Sequence, residues 1–175
     1  AGAAGIETDL AKSILANGDA DQAVARTASA ERRLGPSGDS VQRARNFLIQ
    51  ARAQRVQGHL FKALNTVDRA LQVLKDGGRM ADSKPLQARL QVQAAALLDE
   101  SGQNFEAIER IKTVSTLAPT DPVLIGYVAA ALSSAGDTAA ALAAVQPLTT
   151  SPDSQTAIVY QGCLLTDSER IDEGL

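Results

Sequence analysis

Three arginines, Arg45, Arg52 and Arg55, are the residues of this chain whose type and spacing most suggest a chemistry. Arg45 and Arg52 are seven positions apart and Arg55 follows three later, so on an α-helix they share one broad face. Planar guanidinium forks grip carboxylates two bonds at a time. A strip of them suits an acidic peptide, a C-terminal carboxylate or an acidic glycan. The competing reading is a solvated basic face balanced by Asp and Glu of neighbouring segments. No catalytic constellation stands beside the arginines. His59 is the single histidine and reads as a capping or surface residue, and Cys163, the single cysteine, reads as helix packing. A metal site of imidazole or thiolate type needs several converging ligands, so no metal and no cofactor are expected. The adjacent acids Asp99/Glu100 and Asp172/Glu173 would point about 100° apart on a helix, which suits solvated helix ends better than paired acid–base work. No Gly-x-x-x-x-Gly-Lys-Ser/Thr phosphate loop occurs. The chain is expected to act without catalysis.

Its charge is distributed unevenly. Residues 1–85 carry 13 Lys/Arg against 9 Asp/Glu, a net of +4, and residues 86–175 carry 4 against 11, a net of −7. The sequence pI is near 5.2 and no basic patch is interleaved with aromatics, which disfavours nucleic acid as a partner. No apolar run reaches the length of a membrane span, so no insertion of this segment into a bilayer is expected. There is no basic-then-apolar signal segment and no initiator Met. Aromatic residues make up only 3% of the chain and Trp is absent, so alanine and aliphatic side chains must do the packing.

The elements that must position the arginines announce themselves through small residues. Ala11/Ala23, Ala51/Ala63, Ala95/Ala107, Ala129/Ala141 and Gly162/Gly174 are pairs 12 apart. Gly18, Gly58, Gly102 and Gly136 each fall seven residues after the first member of a pair, and in the fifth Ser168 stands six residues after Gly162. A unit of this length repeated along the chain marks stacked supersecondary units. Apolar residues recur at helical spacing throughout, as in Leu60, Leu64, Val67, Leu71 and Leu74. Glycine ends helices by adopting the left-handed conformation. Asp121-Pro122 and Ser151-Pro152 offer a capping side chain followed by proline at the first helical position. The pattern predicts helices near 5–17, 20–34, 40–57, 60–75, 84–101, 104–118, 122–135, 138–149 and 153–166, with a tenth from about 169. The predicted core includes Leu64, Val67, Leu98, Ile108, Ile111, Leu132 and Val145. Gly35-Pro36-Ser37-Gly38 and Gly77-Gly78 read as lengthened loops, or as the ends of helices extended by a turn, rather than domain linkers, because the repeat resumes in phase after each.

This arrangement resembles the tetratricopeptide repeat (TPR), a unit of two antiparallel helices packed through small residues. The best copies place Gly102, Ala107 and Pro119 against Gly136, Ala141 and Pro152, with "GQNFEAI" (102–108) and "GDTAAAL" (136–142) similar to the turn-plus-helix segment of the family. "SERIDEGL" (168–175) resembles a further, degenerate copy. The large aromatic that the family carries early in the first helix is absent, and Ile125 takes that place in the fourth unit. The expected fold is all-α, a right-handed superhelical array of antiparallel helical hairpins. Residues 1–175 would form a single domain of four complete repeats and a partial fifth, a fragment of a longer protein.

By the resemblance, the first helix of each pair lines a concave groove. The groove positions are then Lys12 in the first unit, Arg45, Leu48, Arg52, Arg55 and Val56 in the second, and Arg89 and Val92 in the third. Tyr127 and Tyr160, in equivalent places of consecutive units, are either concave peptide anchors or core. Arg69 falls on a second helix, away from the groove. The implied function is a protein-binding scaffold that holds a peptide or partner subunit, an acidic one if the arginine strip is the site. The lysine- and asparagine-bearing carboxylate clamp of chaperone-binding relatives is not reproduced. Two other settings fit the resemblance: a periplasmic scaffold segment of a bacterial exopolysaccharide or secretion export system, and an effector-sensing arm of a large regulator. A periplasmic setting is favoured over a cytoplasmic one. Ile158, Val159, Leu164 and Leu165 lack a following helix long enough to cover them, so this end is expected either to self-associate or to fray.

Overall fold

The computed structural model describes residues 2–118 and 121–149, and every structural statement below concerns these. They form helices and no strand. In chain order these are α1 (Gly2–Ala16), α2 (Ala20–Leu34), α3 (Ser40–Val56), α4 (Leu60–Asp76), α5 (Lys84–Glu100), α6 (Asn104–Leu117), α7 (Pro122–Ser134) and α8 (Thr138–Thr149), with a short 3-10 turn at Ala81–Ser83 before α5. Each lies within three residues of its predicted bounds. The predicted helices from 153 onward, Tyr160, Cys163 and the Gly162/Gly174 pair lie outside the described residues.

Two signals punctuate the chain. At the helix ends, Gly58 takes φ +77° and Gly102 φ +79°. This lets the His59 N–H reach the Gln54 carbonyl at 2.9 Å, and the Gln103 N–H reach the Leu98 carbonyl at 2.8 Å. These six-residue closures satisfy carbonyls that a helix end leaves orphaned. Gly18 and Gly136 close α1 and α7 in the same way. At the helix starts, Asp19, Asp39 and Asp121 accept the backbone N–H of Gln22, Gln42 and Leu124 at 2.9, 2.7 and 3.1 Å. His59 occupies the cap position of α4 without a side-chain capping bond.

The chain divides into two compact units, Ala1–Ala107 and Ile108–Leu175, the boundary falling within α6. In the first, α1 packs on α2 and α3 on α4 as antiparallel hairpins, and α3 also meets α1, α2 and α5. Small residues make the approach close. Ala11, Ala23, Ala51 and Ala63, the members of the first two pairs, are all fully buried. Ala44, Phe47, Leu48 and Ala51 of α3 join Ala63, Val67, Ala70 and Leu74 of α4 and Leu90, Ala94 and Leu97 of α5 in one core. In the second unit α7 packs on α8, and Ile111, Val114, Leu124, Ile125, Val128, Leu132, Ala141 and Val145 are buried. Of the predicted core, Leu64 and Ile108 are only half-buried, and the rest is buried.

Candidate binding groove

A groove of about 350 Å³ opens across the first helices of the first three helical segments. From α1 come Gly5, Thr8, Asp9 and Lys12; from α3 come Gln42, Arg45, Leu48, Ile49 and Arg52; from α5 come Pro85, Leu86 and Arg89. Helical geometry explains the membership. Arg45, Leu48/Ile49 and Arg52 recur at the three-, four- and seven-residue spacing that keeps side chains on one helix face. Lys12, Arg45, Arg52 and Arg89 are all exposed there, and Asp9 is the one carboxylate in the lining. Formal charge on the lining is therefore +3. Coulomb attraction for an anion adds over four cations converging on one concavity, and walls of low dielectric focus the field.

Beneath the rim runs a polar thread. Gln42 Nε2 donates to Thr8 Oγ1 at 3.3 Å, and the one Thr8 hydroxyl proton is shared between the Ala4 carbonyl at 3.0 Å and Asn46 Oδ1 at 3.3 Å. Asn46, fully buried, donates through Nδ2 to the Thr27 carbonyl at 2.8 Å. One side chain of α3 thus ties α1 to α2. Buried amides are tolerated only when bonded, and here the bonds fix the relative height of α1 and α3, two of the three helices that line the groove, with α2 behind them. Leu48 and Ile49, each 6% exposed, supply an apolar strip on that floor.

The structure brings Lys12, Arg45, Leu48, Arg52 and Arg89 together, but not every expected groove residue joins them. Arg55 is outside the lining because its guanidinium reaches Glu100 at the end of α5, Nε to Oε1 at 2.7 Å with a second, closer bond from Nη2. Val56 lies beside the Gly18 turn, with Asn17, Asp21 and Gln57 around it. Tyr127 belongs to α7 in the second unit and is 57% exposed, so it is not a core residue. The sequence reading missed Thr8, Asp9, Gln42 and Ile49; for Thr8 a signal was available, since it falls three residues before Ala11 as Leu48 does before Ala51.

Three further arginines serve the scaffold. Arg43 binds Glu31 through Nε at 3.0 Å and Nη2 at 2.6 Å, and donates to the Pro36 carbonyl at 3.1 Å. Arg33 Nε lies 3.0 Å from Glu7 Oε1, joining α2 to α1. Arg69, away from the groove as expected, holds its guanidinium 4.7 Å from the ring centroid of buried Phe47. It covers the core by a cation–π contact and is not an inert surface residue. Among the described residues, no His, Cys, Asp and Glu gather into a metal-holding group, and no helix is long and apolar enough to cross a membrane.

The architecture is that of TPR-type arrays. A TPR-like repeat structure of a putative kinesin light chain from Podospora anserina superposes with a TM-score of 0.69 at 16% identity, covering 96% of this chain and 88% of that one. A tetratricopeptide repeat protein from Parabacteroides merdae gives 0.68 at 16% identity, over 99% of this chain and 63% of its own. MamA from Desulfovibrio magneticus RS-1 gives 0.63 at 14% identity, over 98% and 88%. At such identities the likeness is one of fold. No family model matches the sequence, and no curated protein matches it.

Proposed function

We propose that this chain is a non-enzymatic interaction scaffold whose groove holds an acidic, extended peptide or the acidic segment of a partner subunit. The observation that carries the reading is the convergence of Lys12, Arg45, Arg52 and Arg89 from α1, α3 and α5 onto one concavity whose lining holds one carboxylate, Asp9. Isolated surface cations would scatter over the helices. Here the repeat places Arg45 and Arg89 in equivalent positions, each six residues before the small residue of its helix, Ala51 or Ala95. Lys12 and Arg52 are likewise equivalent, each one residue after Ala11 or Ala51. A ladder of equivalent cations along a curved face suits a linear polyanionic ligand better than a compact one. The TPR-type fold supports the same reading, since stacked hairpins create extended concave surfaces suited to binding.

The test is titration of hexaglutamate, followed by calorimetry, against wild type and three groove variants. Arg45→Ala, Arg52→Ala and Arg89→Ala should each weaken binding by about 1 kcal/mol, roughly fivefold, as expected for partly solvated charge pairs. Affinity should fall as salt rises. Arg55→Ala and Arg26→Ala are the controls, the first because Arg55 is engaged with Glu100 and the second because Arg26 is exposed on α2 outside the lining. Equal affinity across all six proteins would make the groove a solvated basic face and end the proposal.

A further inference from the structure

We propose that the occupant of this groove is the acidic segment 167–173 of a second copy of the same chain, so that copies associate head to tail. The inference rests on the reading of the groove as an acidic-peptide site and names the peptide. Charge is the first argument. Asp167, Glu169, Asp172 and Glu173 against Arg170 give the segment a net −3, opposite to the +3 of the groove lining. No other stretch of seven residues in the chain carries four carboxylates. The same asymmetry runs through the sequence, +4 over residues 1–85 and −7 over 86–175, so the first half of one copy attracts the second half of another.

Spacing is the second argument. Arg45 and Arg52 are seven residues apart on α3, about 10 Å along the helix axis. Helices packed as α3 is on α5 have axes roughly 8–10 Å apart, which sets a similar step from Arg45 to Arg89. Bound in an extended polyproline-II form, a chain advances about 3.1 Å per residue with three residues per turn, so carboxylates three positions apart stand on one face and meet that step. Glu169 and Asp172 are three apart. Ile171 lies between them, and the groove floor between the cations is the apolar strip of Leu48, Ile49 and Leu86. Because the two surfaces differ, the contact is heterologous and leaves a free groove and a free acidic segment at the ends of each pair. Growth beyond a dimer follows.

The experiment measures mass against concentration by sedimentation equilibrium with the whole chain, at about 0.02 M and about 0.5 M salt, where screening lengths differ several-fold. Mass should rise with concentration, past that of a dimer, at low salt and return to the monomer at high salt. Arg45→Glu/Arg89→Glu and Glu169→Lys/Asp172→Lys should each remain monomeric alone, with unchanged helix content by circular dichroism. Mixed in equal amounts they should associate again, because the first retains the acidic segment and the second retains the basic groove. A wild-type monomer at low salt overturns the inference. If hexaglutamate still binds that monomer through Arg45 and Arg89, the groove reading survives and only the self-partner falls; if it does not bind, both fall. Association that persists in either variant alone also overturns it.

Discussion

Asn46 is fully buried on α3 and spends its amide on two other helices, accepting from Thr8 of α1 and donating to the Thr27 carbonyl of α2 at 2.8 Å. Its replacement by Ala removes both bonds and leaves a buried carbonyl without its partner, which costs about 1–3 kcal/mol. Chemical denaturation of Asn46→Ala should show that loss. Hexaglutamate affinity should weaken alongside it, since α1 and α3 carry Lys12, Arg45 and Arg52. Stability unchanged within error would show that water replaces the amide. Residues of this kind were not legible in the sequence, where Asn46 is one polar side chain on a helix rich in them. Arg52 and Arg55 show the same limit: the spacing puts them on one broad face, yet α5 brings Glu100 to Arg55, 45 residues away, and draws it out of the groove lining. Residue type states what a guanidinium can bind, and packing decides what it meets.

At the scale of the helix and its turn, two glycines in one hairpin are required for different reasons. Gly58 holds φ +77° with nothing within 4 Å of an added Cβ, so its constraint is conformational. Gly77 has an ordinary negative φ, but a Cβ there would fall 2.6 Å from Ser40 Cβ and 2.3 Å from its Oγ, so its constraint is the seat of α3 against the end of α4. Gly58→Ala should destabilise by about 1–2 kcal/mol, the cost of a left-handed residue with a side chain. Gly58→Asn should lose less, because Asn is enriched in that conformation. If Ala and Asn prove equally costly in thermal unfolding, strain at φ is not the cause. This level of structure was nearly all legible beforehand. In a hairpin array each helix packs mainly on its sequence neighbours, so the Gly and Asp-Pro signals and the apolar stripes are local, and so is what they determine. The lengthened loops were legible as loops but not as neighbours: residues of 36–40 and of 76–79 line one shallow surface cleft, a meeting that depends on the whole α3–α4 hairpin.

Over the first unit as a whole, the repeat turns position along the chain into position across the groove. The resemblance put Lys12, Arg45, Arg52 and Arg89 on the first helices of successive pairs, and all four line one concavity, whereas Tyr127 belongs to the second unit. The ladder has a missing rung. Where α3 has Arg45 and α5 has Arg89, α1 has Gly5, six residues before Ala11. A Cβ at Gly5 meets nothing closer than Gln42 Nε2 at 3.9 Å, so a side chain there enters open space over the groove. Gly5→Arg therefore extends the row from two cations to three without disturbing the core. It should tighten hexaglutamate binding by about 0.5–1 kcal/mol, roughly two- to fivefold, at low salt. It should also stabilise α1 by about 0.5–1 kcal/mol, because glycine is a poor helix residue. The two effects separate through Ile6→Arg: that side chain is 70% exposed, outside the groove lining and about 100° around the helix from Gly5. It adds the same charge to the same helix and should leave affinity near the wild-type value. If both variants tighten binding equally, the groove senses only net charge, and the register of Arg45 and Arg89 plays no part in recognition.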